Sequence, residues 1–443
     1  MLDWRRVTIG ELCEDGEAEL QTGPFGSQLH AYDYIPDGIP VVPTEAIGNR
    51  QIDYSVLPKI SFNKAEELRR HWLEPGDILF ARRGVQATGH IGYIRGFENG
   101  FVCGTGAIRL RIRQNSGISP EYVSHVLADP VSVAWFKYHA IGATMPNLNE
   151  GIIRSFPITL PPIGEQRAIA RILSALDDKV ELNRGTNELL EAIARALFKS
   201  WFVDFDPVRA KVEGRDARLP EPIADFFPTS FIDSELGKIP AGWGVSRLGK
   251  EAATVLGGTP SRREPAYWGG EIPWINSGKA NEFRVIEPSE FITEKGLKSS
   301  ATKLLPNRTT IIAITGATLG QISLTEIETS ANQSIVGVLG SDALPSEYLY
   351  FWVKQHVEDL LAWQTGGAQQ HINKNNVNYL PLLLPTRSVM RVYFAKTRPI
   401  FDRIRASCYD SGGLTAIRDA LLPKLISGQI RVKDTERFVE RAV

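Results

Sequence analysis

Apolar residues at Leu173, Leu176, Val180, Leu190, Ala194, Leu197 and Trp201 keep an alternating three- and four-residue spacing, with polar Asn183 and Asn187 in phase at the middle. So narrow a stripe predicts a coiled-coil helix that needs a partner helix, not a broad-faced surface helix. Pro161 and Pro162 give a stiff entry, Glu165 puts an anion in the first turn, and Pro207 marks the far end. A helix from about Glu165 to Val203 measures about 57 Å at about 1.5 Å per residue. Gly185 within it disfavours helix by about 1 kcal/mol relative to Ala.

The chain supplies the partner. A shift of 224 residues carries the seam onto Thr397, Ile400, Ile404, Ser407, Ser411, Leu414, Arg418, Leu421 and Leu425, with Ser407 and Ser411 as the polar middle. This is an internal repeat. Other landmarks recur in the same order. Ile39-Pro-Val-Val answers Ile272-Pro-Trp-Ile, Ala81-Arg-Arg-Gly answers Ala313-Ile-Thr-Gly, and Pro120-Glu-Tyr-Val answers Pro345-Ser-Glu-Tyr-Leu. The order is globule–helix–globule–helix, and two such helices can pair antiparallel with their matched polar waists fixing the register. The segments are 1–160 (first globule), 161–207 (central helix), 208–240 (Pro-rich connector), 241–385 (second globule), 386–430 (distal helix) and 431–443 (tail). The fold class is α/β (α+β), with two pseudo-repeated globules and an antiparallel coiled coil.

Within the first globule, Ile39-Pro-Val-Val, Asp77 to Ala81, His90 to Ile94 and Ala107 to Ile112 read as short strands bounded by turn residues. Pro120 to Tyr138 reads as helix, broken or kinked at Pro130. The helix pairing rests on Leu173, Leu176, Val180, Asn183, Asn187, Leu190 and Leu197 against Ile400, Ile404, Ser407, Ser411, Leu414 and Leu421. Pro399, Gly412-Gly413 and Pro423 predict a less regular distal helix.

Composition narrows the class. There is no apolar signal region at the start and no run long enough to span a bilayer. Cys13, Cys103 and Cys408 are widely spaced and odd in number, offering neither a disulfide framework nor a metal site, which fits a reducing cytoplasm. Net charge is −1, so any nucleic-acid face must come from local clusters. Residues 386–443 carry 12 basic and 6 acidic side chains.

Catalytic patterns are thin. No HExxH, CxxC or GxSxG occurs, and Ser277-Gly278-Lys279 lacks the upstream glycine of a P-loop. No metal site is expected and no catalytic residue is assigned. The loops point to DNA instead. Arg82, Arg83, Gln86 and Thr88 surround a Gly hinge, two guanidinium groups and an amide suited to phosphate clamping and bidentate base reading. The matching loop, with Thr315 and Thr318, lacks arginine, and Ser261, Arg262 and Arg263 supply charge there. Amide-rich turns with Asn147 and Asn149, and with Gln369, Gln370, Asn373 and Lys374, carry side chains that pair with adenine edges. Ser27, Gln28 and Lys279 complete the candidates.

Leu160-Pro-Pro-Ile-Gly-Glu-Gln166, Asp177-Asp-Lys-Val-Glu-Leu-Asn183 and Ala196-Leu-Phe-Lys-Ser-Trp-Phe-Val-Asp-Phe-Asp206 resemble the central region of type I restriction–modification specificity (S) subunits, and the resemblance covers the whole chain. It implies two target-recognition domains, each reading half of a split site in double-stranded DNA. It also implies helices that act as spacer and dock two methyltransferase (M) subunits, with endonuclease/translocase (R) subunits joining later. No cofactor is expected on this chain; S-adenosylmethionine belongs to the methyltransferase partner. Leu384-Pro-Thr-Arg-Ser-Val-Met390 departs from the Pro-Pro…Glu-Gln pattern. Two further readings stand beside this one: a self-contained DNA methyltransferase or nuclease, and a scaffold of the same fold that reads no DNA.

Overall fold

A computed structural model describes residues 4–48, 50–84, 87–142, 144–364 and 370–432. They form two compact units, one running to Val180 and resuming at Gly413, the other spanning Glu181–Gly412.

In the first unit, strands β1 (Ala18–Thr22), β2 (Ile78–Ala81), β3 (Ile91–Tyr93) and β4 (Ala107–Ile112) make an antiparallel sheet in the order β1-β4-β2-β3. Side chains alternate across it. Ile78 and Phe80 face the helical core with Tyr122, Val123, Leu173 and Leu176, while Leu79 and Ala81 face Val42, Ile47 and Cys103 on the other side. Each such fully buried large side chain contributes about 1.5–3 kcal/mol. The predicted helical stretch is two helices, α1 (Pro120–Ala128) and a second at Pro130–His139, split where Pro130 opens a new first turn.

The second unit repeats the plan. Strands β5 (Thr254–Leu256), β6 (Thr310–Ala313), β7 (Ile322–Leu324) and β8 (Ile335–Val338) pair antiparallel in the order β5-β8-β6-β7. Ile312 and Val336 face one core, Ile311 and Ile335 the other. In each unit a two-stranded ladder closes the globule just before a long helix: Arg5–Thr8 on Pro157–Leu160, and Gly244–Arg247 on Pro381–Leu384.

Further helices of the two units are α2 (Glu150–Arg154), α3 (Ile163–Phe202), α4 (Ser346–Gln355), α5 (Lys374–Tyr379) and α6 (Arg387–Ile426). Both long helices have 40 residues. The distal one is therefore as continuous as the first, contrary to the irregularity that its prolines and glycines predict. Pro399 and Pro423 lie on its exposed side, where the carbonyl each leaves unbonded can meet solvent.

Within each unit the two helices run antiparallel. In the first, Arg431 reaches Glu165 at 2.9 Å and Arg418 reaches Asp177 at 2.8 Å. In the second, the Asn183 amide donates to Asp410 at 2.8 Å and to Ser411 at 3.2 Å, and Asn187 donates to Cys408 Sγ at 3.6 Å. Asn183 and Asn187 are buried, as are Ile404, Ser407 and Leu414.

Of the predicted seam, Leu173, Leu176, Asn183, Asn187, Ala194 and Trp201 are buried and Val180 is half-buried. Leu190, Leu197, Ile400 and Leu421 are only half-buried, and Glu191, Phe198, Phe401 and Leu422 take the buried positions. An extra four-residue step from Asn187 to Glu191 turns the buried face toward α4, where Phe198 packs on Tyr348 and Phe351. The connector is structured. Val208, Phe227 and Ile239 enter the second unit's core.

Candidate nucleic-acid interface

The antiparallel registers Thr22↔Ile108, Ala81↔Ala107 and Phe80↔Ile91 bring the end of β1, the end of β2, the start of β3 and the start of β4 to one edge. The segments that begin at Gly23 and Arg82 and those that end at His90 and Gly106 therefore meet at this edge. The turn before α2 joins them: Leu148 N–H donates to Arg82 O at 2.9 Å, Arg83 and Asn147 share a bridge, and Thr22 Oγ1 donates to Glu150 at 2.7 Å. Three predicted clusters distant in sequence thus meet.

The second unit builds the same edge through Leu256↔Val336, Ala313↔Ile335 and Ile312↔Ile322. Ile372 N–H donates to Ile314 O at 3.0 Å, and Thr315 bridges His371. Both units present a Gly-rich loop, a loop leaving a central strand, and a turn capping a short helix.

Some candidates also have structural duties. Thr88 is 1% exposed, and its hydroxyl donates to Gly84 O and Pro146 O at 2.6 and 3.0 Å. The Asn149 side chain caps α2 by accepting from Ile152 N–H at 2.8 Å, and Asn373 caps α5 in a reciprocal pair with Asn376. Their carbonyl oxygens are thereby committed to backbone. Arg82 is half-buried, with Nε donating to Asn147 Oδ1 and Leu148 O, each at 3.0 Å. Arg262 makes a two-fold contact to Glu290 at 2.6 Å and lies 3.6 Å over the Trp268 ring. Lys279 pairs with Glu282 at 2.7 Å on the turn Ser277–Asn281.

Other candidates are less committed. Arg83 and Arg263 are exposed, and neither side chain has a hydrogen bond or ion pair among the described residues. Ser27, Ser261 and Gln370 are exposed, while Asn147, Thr318 and Lys374 are half-buried. Thr315 donates to Ser334 at 2.7 Å, and Gln28 accepts from Phe25 N–H at 3.1 Å. Gln86 and Gln369 lie outside the described residues.

Buried arginines that the sequence reading missed fasten each globule to the long helices. Arg50, in the left-handed region at φ 61°, is ion-paired with Asp177 of α3, and its Nε donates to Ser124 of α1 at 3.0 Å. Arg418 of α6 shares Asp177. In the second unit Arg284 reaches Glu191 of α3 at 2.8 Å, and Arg308, at φ 60°, joins Glu347 of α4 to Asp402 of α6. Burial alone would raise the Glu191 carboxyl; Arg284 and Lys354 outweigh it and hold it below the ordinary range. A single arginine among many surface ones gives no sequence signal for this.

Among the described residues no group of three or more His, Cys, Asp or Glu side chains is placed to hold a metal ion, and no helix is long and apolar enough to cross a membrane.

Two copies of one globule, each presenting a loop-built edge and each followed by a long helix, define a duplicated recognition protein. The chain belongs to the family of the type I restriction modification DNA specificity domain, which matches residues 1–192 and 240–388. It is 25% identical to the type I restriction enzyme HindI specificity subunit of Haemophilus influenzae, over 86% of this chain and 96% of that one. It is 26% identical to the MjaIX specificity subunit of Methanocaldococcus jannaschii, over 81% of this chain and 78% of that one. The crystal structure of a type I restriction–modification S subunit from M. genitalium shares the fold, with a TM-score of 0.56, 15% identity and 96% of each chain covered.

Proposed function

We propose that this chain is the DNA-recognition subunit of a type I restriction–modification complex, each globule reading one half of a bipartite site in double-stranded DNA. The observation that carries this reading is the duplicated edge with different side chains: Arg83 beside Asn147 in the first unit, Arg263, Thr315 and Gln370 in the second. Frames of the same strand order with divergent loops suit two related but different targets. Phosphate contacts hold the frame on the duplex while base contacts specify sequence.

The long helices set the spacing of the half-sites and dock two methyltransferase subunits. Supporting this, Leu182, Leu189 and Ile193 of α3 are 64%, 62% and 49% exposed and recur at helical spacing, an apolar stripe on a helix whose other face is buried. Catalysis comes from the partners. The methyltransferase holds S-adenosylmethionine, and endonuclease/translocase subunits cut DNA.

The test is methyl transfer from labelled S-adenosylmethionine, followed by mapping of adenine methylation. The expected result is no transfer by this chain alone, and a split motif once the methyltransferase subunit is added. Transfer by the chain alone would favour a self-contained enzyme, and methylation without sequence preference would favour a scaffold.

A further inference from the structure

Arg70 lies on the turn Arg69–His71. Its Nη2 donates to Gln28 Oε1 at 3.3 Å, at the end of the Gly-rich loop 23–28, and its Nε donates to His71 Nε2 at 3.0 Å. Both acceptors are neutral. Burial, with Arg70 and Arg109 beside it, brings the His71 pKa down to about 4, so the ring keeps a lone pair for Arg70 at neutral pH. The Arg70 side chain is exposed and makes no ion pair among the described residues. A guanidinium fixed by neutral partners is pre-organised for an anion, because its position is set and its charge is not neutralised.

The second unit has a counterpart built from different atoms. Thr302 is buried, and its hydroxyl donates to Gly258 O of the matching Gly-rich loop, which also accepts from Trp274 Nε1 at 3.2 Å. Lys303 follows, exposed and without a hydrogen bond or ion pair among the described residues. Each Gly-rich loop leaves the same sheet edge as the candidate base-reading side chains. Each is also flanked by an unneutralised cation on the segment after a short capped helix, Phe62–Glu67 or Glu294–Lys298.

We propose that Arg70 and Lys303 are phosphate contacts at the rim of the two recognition edges, gripping the DNA backbone beside each half-site without reading sequence. This rests on the DNA-recognition reading and adds two positioning residues to it.

The experiment measures binding of the full-length chain to a mixed-sequence DNA duplex across a salt series, for wild type, Arg70→Ala, Lys303→Ala and the double variant. A phosphate contact contributes about 0.9 to the slope of log affinity against log salt, so each single variant should lose about 0.9 and the double about 1.8. Arg70→Lys should recover most of the slope, which a merely structural loss would not. Methylation mapping with the methyltransferase subunit should return the wild-type motif. An unchanged slope in the double variant, with wild type binding normally, overturns the proposal alone, as does an altered motif. A wild-type chain that binds no duplex, alone or with its methyltransferase subunit, overturns the DNA-recognition reading itself.

Discussion

The Gln166 side chain closes a small ring of hydrogen bonds with Ser119: Ser119 N–H donates to Gln166 Oε1 at 2.9 Å. The Gln166 amide donates in turn to Pro161 O at 2.7 Å and Gly117 O at 3.4 Å. Gln166 is buried, so the Pro-Pro…Glu-Gln run is a joint that fixes how α3 leaves the closing ladder. Gln166→Ala strands a buried N–H and a buried carbonyl, costing about 1–3 kcal/mol. Chemical denaturation would measure this, and a loss under about 0.5 kcal/mol would remove the joint from the fold's requirements.

Asp177 lies between Arg50 and Arg418, buried with the first and half-buried with the second. Breaking such a pair from one side leaves an uncompensated charge and costs about 3–5 kcal/mol. Arg50→Met and Asp177→Leu should each destabilise by that order. The double variant should lose less than the sum of the two singles. Additive losses would show that the two groups stabilise the unit independently.

Lowering pH should test His71. Its folded pKa of about 4 lies below the ordinary 6.5, so the neutral ring contributes stability that is fully present above pH 6.5. That stability is lost as pH falls through the window toward 4, at most about 3 kcal/mol. His71→Gln keeps an acceptor for Arg70 and removes the titration. Its unfolding midpoint should fall less than wild type between pH 6.5 and 4; parallel curves would place the acid sensitivity elsewhere.

How much of this was legible in the sequence depends on distance along the chain. The seam from Leu173 to Asn187 was readable because the two helices bury each other by period alone. It missed Glu191 because Arg284 and Lys354 draw that carboxylate inward, which no local pattern encodes. The Gly-marked loops were found for the same local reason that turns are found. Which side chain of each loop faces solvent was hidden, since a bridge to a distant turn decides it. Arg70 gives no sequence signal, because its partner Gln28 lies far away along the chain.

Docking of the methyltransferase should depend on the exposed stripe of α3. Leu182→Asp with Leu189→Asp alters two side chains that are mostly in water, so stability should change by no more than about 0.5 kcal/mol per site. Co-purification with the methyltransferase subunit should be lost. Retained co-purification at wild-type stoichiometry would place the docking surface on another face.

Arg82 and Arg83 are neighbours with different expected fates. The Arg82 guanidinium straps the loop to the turn at Asn147 and Leu148. Arg82→Ala should therefore lower stability by about 1–3 kcal/mol, through the stranded Leu148 carbonyl and the loosened Asn147 amide. Its effect on DNA follows from a looser edge and should appear as weaker discrimination between the methylated motif and mixed sequence. Arg83 is exposed and uncommitted among the described residues, and the shared bridge with Asn147 holds its backbone. Arg83→Ala should leave the unfolding midpoint within about 0.5 kcal/mol of wild type. If Arg83 meets a phosphate, the salt slope falls by about 0.9 and affinity drops alike for all sequences. If it reads a base edge, discrimination at one motif position relaxes by about 1–3 kcal/mol while the slope falls less. Denaturation and salt titration of both single variants separate these outcomes, and an Arg83→Ala chain that is unstable but binds normally would reverse the assignment of the two arginines.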